Sequence, residues 1–203
     1  MAYQSKVEVL KPEEWYDKAY KEYRKLHQYI KEFDKDLWKR FIPKDIEGFQ
    51  ILDLWWWDGR ASDFFQWRSV SEYQIVDISK NMLSGCKNWI KTTKHDLDYG
   101  IPVEDNYANI SLCFFALFYL SDPDALFKEA YRTLKEDWIF LIFHHAKRKF
   151  YEYKIWKERF KIEHYVHNYK KIKKDLEHNF FKFKVLEIVD KGNLIWKLYV
   201  CKK

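Results

Sequence analysis

The sequence predicts an α/β protein: a doubly wound, Rossmann-like sheet of about seven strands, mostly parallel and ending in an antiparallel hairpin. Three observations predict it. Short apolar runs alternate with stretches of helical periodicity between residues 50 and 143, the order that builds a parallel sheet. The run Asn109 to Phe115 is mostly apolar, as a strand covered on both faces requires. Near the end, Lys182 to Val189 and Leu194 to Cys201 are β-rich runs joined by Asp190, Lys191, Gly192 and Asn193, which is hairpin turn chemistry.

Trp15, Tyr16, Tyr20, Tyr23, Leu26, Ile30 and Phe33 recur at helical spacing and predict an amphipathic helix over residues 13–34. Ile51 to Leu54 and Gln74 to Ile78 read as buried strands, separated by a helical stretch that begins near Arg60. A helix over Lys80 to Trp89 and a short strand leading to Asp96 follow. Asp122 to Leu134 is a helix with Ser121 or Asp122 as its cap, and Ile139 to Phe143 is the next buried strand. Residues 147–178 contain no Gly or Pro and read as a lysine-rich helix. A length of 203 residues suits one domain: a helical cap over 1–45, a core over 46–145, and a basic helical segment with the terminal hairpin over 146–203.

Hydrophobic residues at 47% and aromatics at 20% exclude disorder. The longest apolar stretch, Ile110 to Leu120, is too short to span a bilayer, and Met1 to Lys11 has no apolar secretory core. Cys86, Cys113 and Cys201 are odd in number and scattered, which fits a reducing cytoplasm better than disulfides or a zinc site. The expectation is a cytoplasmic protein without a membrane partner.

The chemistry lies at the strand ends. Ile51-Leu-Asp-Leu-Trp-Trp-Trp-Asp-Gly-Arg60 stands where a first strand turns into a first helix. Nucleotide-binding folds need glycines at such a turn, because the backbone takes positive φ and approaches the ligand closely. The segment resembles the first motif of class I S-adenosylmethionine-dependent methyltransferases, L-D-x-G-x-G-x-G, with Asp53 and Gly59 matching and Trp55 and Trp57 in place of glycines. Three further motifs follow in order. Val76-Asp-Ile-Ser-Lys-Asn-Met-Leu83 is similar to the family's V-D-x-S-x-x-M-L, whose acidic residue, here Asp77, accepts the ribose hydroxyls. His95-Asp96-Leu97 is similar to the third motif, whose carboxylate meets the adenine amino group. Asp105 to Leu120 with the following helix resembles the fourth strand and helix of the small-molecule group called type 11.

The resemblance implies S-adenosylmethionine as cofactor, with contacts at Asp53, Trp55, Trp57, Gly59, Asp77, Ile78, Met82, Asp96, Leu97 and Phe114. It implies methyl transfer to an O, N or C nucleophile of a small molecule. Alternatives are an inactive methyltransferase-like binding module and an RNA-modifying enzyme. His144 and His145 follow the fifth strand, at the carboxyl edge where open α/β sheets bind ligands, and one of them is a candidate general base. Phe114, Phe115, Phe118 and Tyr119 join them at the expected acceptor mouth. Tyr16 and Tyr20 either close over the cofactor or pack in the core. No metal site is visible. The family usually has Asp where Asn109 stands, a histidine near Phe118, and Pro-Gly-Gly where Glu136-Asp137-Trp138 stands. The first two departures are expected beside the acceptor pocket.

The chain has 5 Gly and 10 Trp, against an expected glycine count of roughly 14 at about 7% usage. Trp55, Trp57 and Trp138 fall at family glycines, and Trp67 and Trp89 at turns leading into strands. Three readings stay open: UGA codons meant as glycine and written as tryptophan, a nucleotide pocket filled by indoles, or tryptophans placed deliberately. In each case three consecutive indoles on a turn that wants positive φ are expected to weaken cofactor binding. Residues 146–184 carry 13 Lys plus Arg against 5 Asp plus Glu. Such a segment suits either a solvated surface or a nucleic-acid face, the latter placing its lysines on the cleft side.

Overall fold

The computed structural model describes residues 7–26, 38–54, 61–145, 152–155, 158–180 and 182–203. Its strands are β1 (Glu8–Leu10), β2 (Gln50–Leu54), β3 (Glu72–Asp77), β4 (Lys91–Lys94), β5 (Ala108–Phe114), β6 (Leu134–His145), β7 (Glu152–Ile155), β8 (Glu158–Ile162), β9 (Lys182–Asp190) and β10 (Asn193–Lys202). Its helices are α1 (Pro12–Leu26), α2 (Ser62–Phe65), α3 (Lys80–Leu83), α4 (Pro123–Thr133) and α5 (Tyr169–Asn179).

Seven strands form one sheet in the order β4-β3-β2-β5-β6-β10-β9. β2, β3, β4, β5 and β6 are parallel, with Asp53 opposite Ile75 and Leu112. β5 is the centre, and all seven of its residues are buried. That is the reason it reads as an apolar run without alternation. β10 runs antiparallel between β6 and β9. The expected sheet class, the parallel pairing of the Leu52 and Ile75 strands and the terminal hairpin are all present.

α4 starts with Pro123 in its first turn, capped by the Asp122 carboxylate accepting from the Asp124 amide. Arg132 at its far end donates to Glu129, Asp105 and the carbonyl oxygens of Ile101 and Val103. The guanidinium thereby ties the β4–β5 connection to the helix, and it holds the Glu129 carboxyl below its ordinary value. β6 is longer than expected because it begins at Leu134 and absorbs a bulge opposite Ala108 and Ile110. Asp137 takes φ +65° in that bulge.

Three expectations need correction. Residues 147–178 are not one helix: β7 and β8 form an antiparallel hairpin, and β8 pairs in parallel with β1. Phe160 and Ile162 are buried while Arg159 and Lys161 point outward, a period of two that the lysine-rich composition obscured. The helix expected over residues 80–89 stops at Leu83, where the chain turns back towards β4. Asn109 lies at the amino end of β5, away from the acceptor mouth, and its Oδ1 accepts from the Gln50 amide and Lys135 Nζ, both at 3.0 Å.

The burial of β5 sets a stability prediction. Leu112→Ala in its middle removes a fully enclosed side chain and should cost about 3 kcal/mol. Val189→Ala, at a largely exposed position on the edge strand β9, should cost less than about 0.5 kcal/mol. Urea unfolding of the two variants checks the ranking.

Candidate cofactor and acceptor site

Parallel pairing lines up the carboxyl ends of β2, β3 and β4, and that edge carries Asp53, Asp77 and Asp96. Asp53 and Asp77 are fully buried, so each needs donors to offset the loss of water. Tyr73, two residues along β3 from the partner of Asp53, donates its phenol to Asp53 Oδ2 at 2.5 Å. Burial and this carboxylate together raise the Tyr73 hydroxyl well above its ordinary value, so it stays a donor. Asp77 Oδ1 accepts the Ser79 amide at 2.7 Å, the short Asx-type contact that turns the chain into α3. Asp96 Oδ1 caps the single 3-10 turn Leu97–Tyr99 by accepting from the Asp98 amide.

The other expected cofactor residues gather on the same edge. Ile78 follows Asp77 and is half-buried, Met82 is enclosed in α3, and Leu97 is enclosed in the 3-10 turn. Phe114 is the last residue of β5. Trp55, Trp57 and Gly59, with Trp56, lie outside the described residues. A different indole reaches this region: Trp38 is enclosed and stacks on Phe114 with centroids 4.9 Å apart and planes 21° apart. Trp67 is 85% exposed, and Trp138 packs edge-on against Phe49 at 4.5 Å. Neither of these, nor Trp89, has a positive φ. Among the described residues the non-glycine positions with one are Ser69, Asn106, Phe115, Asp137 and Lys191.

The acceptor side is built by β5, β6 and the loop between β5 and α4. Phe115 takes φ +61°, an uncommon conformation for a bulky residue, while its amide donates to the Phe143 carbonyl at 2.7 Å. Its ring then lies 4.7 Å from that of His145 and 4.8 Å from that of Phe143. Phe118 reaches both histidines, at 4.3 Å from His144 and 5.6 Å from His145. His144 is buried and sits opposite Lys197 of β10. His145 Nδ1 accepts from Trp196 Nε1 at 3.1 Å. An indole N–H only donates, so the bonded nitrogen of His145 is unprotonated and its proton sits on Nε2.

Two connections frame this edge. The Ser121 amide donates to Asp98 at 2.9 Å, joining the 3-10 turn after β4 to the β5–α4 loop. Tyr165 donates its amide to the Phe118 carbonyl at 2.7 Å, and His167 Nε2 is 2.9 Å from the Leu120 carbonyl oxygen. The segment after β8 therefore borders the acceptor mouth. Beside it, α1 packs Tyr16 edge-on against Tyr119 at 5.7 Å and Trp15 against Phe160 at 6.0 Å. Sequence reasoning missed Tyr73, Asp98 and Trp196, because each earns its place through a partner 20 or more residues away.

A seven-stranded sheet of this order, with acidic residues at or just beyond the carboxyl ends of β2, β3 and β4, is the fold seen in class I methyltransferases. Residues 58–142 match the family model Methyltransf_11, described as a methyltransferase domain. No curated protein sequence matches it. Among solved structures it is similar to an S-adenosylmethionine-dependent methyltransferase of Aquifex aeolicus at 17% identity and TM-score 0.64, covering 91% of this chain and 98% of the other. It is also similar to a Haemonchus contortus phosphoethanolamine N-methyltransferase bound to phosphomonomethylethanolamine and S-adenosylhomocysteine, at 15% identity and TM-score 0.67, covering 85% of this chain and 52% of that one. The [4+2]-cyclase SpnF matches at 14% identity and TM-score 0.61, covering 83% and 80%. These likenesses establish the fold; the last belongs to an enzyme named for a different reaction. Among the described residues no helix is long and apolar enough to cross a membrane.

Two outcomes follow from the geometry. Tyr73→Phe leaves Asp53 one donor short in a buried place and should cost about 1 to 3 kcal/mol, read by urea unfolding. A long-range proton–nitrogen NMR spectrum of His145 should show Nδ1 as the unprotonated nitrogen, and Trp196→Phe should release that preference.

Proposed function

We propose that this chain binds S-adenosylmethionine along the carboxyl edge of β2, β3 and β4 and transfers its methyl group to a small-molecule O, N or C nucleophile. The observation that carries this reading is the placement of Asp53, Asp77 and Asp96 at the carboxyl ends of β2 and β3 and just beyond that of β4, along the edge that also carries Phe114 and the histidine pair of β6. When bound, the cofactor supplies an already activated methyl group, so the protein's task is chiefly to align an attacking atom and keep water away. In this reading Asp77 accepts the ribose hydroxyls and Asp96 the adenine amino group. Phe115, Phe118 and Tyr119 wall the acceptor.

The histidines divide the polar work. With its Nδ1 occupied by Trp196, His145 offers an Nε2–H donor towards an acceptor oxygen. His144 takes the proton released when the acceptor's nucleophile bonds to the methyl carbon and the carbon–sulfur bond breaks. The phosphomonomethylethanolamine bound in the Haemonchus structure, an amine bearing a phosphate, is one acceptor chemistry compatible with such a mouth. The placement of the basic residues of α5, Lys170, Lys171, Lys173 and Lys174, favours a solvated surface over a nucleic-acid face: Lys171 pairs with Asp175 and Lys173 with Glu177.

Calorimetric titration tests the reading. S-adenosylhomocysteine should bind the chain as written more weakly than a variant with glycine at positions 55, 56 and 57, by tenfold or more. Absence of binding by both overturns the cofactor assignment, and equal tight binding overturns the claim that the indoles obstruct it.

A further inference from the structure

We propose that Asp17 of α1 is a positioning residue for the cofactor site, so that the amino-terminal helix is part of the ribose cradle. This rests on the cofactor reading above. Asp77 depends on the Ser79 amide, and Ser79 and Asn81 are in turn held from outside by one residue 62 or more positions earlier. Ser79 donates its hydroxyl to Asp17 Oδ1, the Asn81 amide donates to the same oxygen at 3.1 Å, and Asn81 Nδ2 donates to the Asp17 carbonyl at 3.0 Å. Ser79 Oγ also accepts the Met82 amide at 3.1 Å. The hydroxyl thus serves at once as the cap of α3 and as a donor to Asp17, which orients it.

Besides Asp17, the turn between Asp77 and Met82 is held by its own backbone bonds, the Leu83 and Ser84 amides donating to the Ser79 and Lys80 carbonyls, and by the buried Met82. α3 is a single turn, too short to be stable alone, and Asn81 makes the contacts given above with Asp17 in addition to its place in that turn. The Asp17 carboxylate, accepting from the Ser79 hydroxyl and the Asn81 amide, supplies the charge-assisted bonds that fix its geometry. Through Ser79, that geometry sets the direction of the Asp77 carboxylate. Elsewhere α1 is attached by its buried Trp15 and Tyr16 and by the exposed pair Lys94–Glu13 at 2.6 Å, which touches no atom of the turn and is worth little to stability.

Amide hydrogen exchange and S-adenosylhomocysteine titration on the full chain test this together, using Asp17→Ala, Asp17→Asn and Glu13→Gln. Asp17→Ala should speed exchange at Ser79, Asn81 and Met82 by tenfold or more and raise the Kd about tenfold. Asp17→Asn, which keeps an accepting oxygen and the backbone carbonyl, should stay within threefold of the parent in both. Glu13→Gln should change neither. Unchanged exchange in Asp17→Ala, or an equal response in Glu13→Gln, overturns the positioning role. Faster exchange with an unchanged Kd also overturns it, since the turn would then be unconnected to the cofactor. Failure of the parent to bind at all, with exchange responding as described, overturns the cofactor reading instead and leaves Asp17 as a fold contact only.

Discussion

The constraint on which the rest of the structure depends is the burial of two carboxylates at the ends of β2 and β3. A carboxylate removed from water is costly unless hydrogen bonds replace its hydration. The chain meets that cost in two ways. Asp53 is served across the strand pair by a phenol that burial keeps protonated. Asp77 is served locally by the Ser79 amide, and the residue that makes this contact is steadied by Asp17 from the first helix. The sheet order makes both arrangements possible, because only parallel neighbours bring successive strand ends to a common edge.

The same edge explains why the proposed acceptor side is aromatic. Phe115 leaves β5 with a positive φ, which turns its ring across the end of β6 onto His145 and Phe143. Backbone strain of this kind persists where the surrounding contacts enforce it, and here the Phe143 carbonyl takes the Phe115 amide. Trp196 then fixes the tautomer of His145 from β10. The antiparallel insertion of β10 beside β6 thus reaches the chemistry, because it delivers the indole N–H that distinguishes the two histidines.

Much of this was legible in the sequence wherever local pattern and topology coincide. The apolar run ending at Phe114, the acidic residue at or just beyond the end of each of three strands, and the Asp190 to Asn193 turn each carry their own signal within a few residues. The hairpin β7–β8 was illegible because its alternation, Phe160 and Ile162 against Arg159 and Lys161, is only a few residues long and lies in a lysine-rich stretch that reads equally well as helix. Asn109 was misplaced because a position in a motif does not say which end of a strand it occupies. Tyr73, Asp17 and Trp196 gave no sequence signal, since each matters through one long-range hydrogen bond. The tryptophans divide: Trp138 adjoins a residue that does take positive φ, Asp137, whereas Trp67 and Trp89 stand at turns whose backbone does not require glycine. Trp38, which filled no motif position, is the indole that packs on Phe114.

The central claim is that the carboxyl edge of β2, β3 and β4 is the cofactor cradle. Amide chemical-shift mapping during addition of S-adenosylhomocysteine tests it most directly, because it reports where the ligand sits whatever its affinity. The account predicts that the largest changes fall on Asp77, Ser79, Met82, Leu97, Asp98 and Phe115, with the edge strand β9 unaffected. Changes concentrated on α5 and β9, or none at saturating ligand, would contradict it.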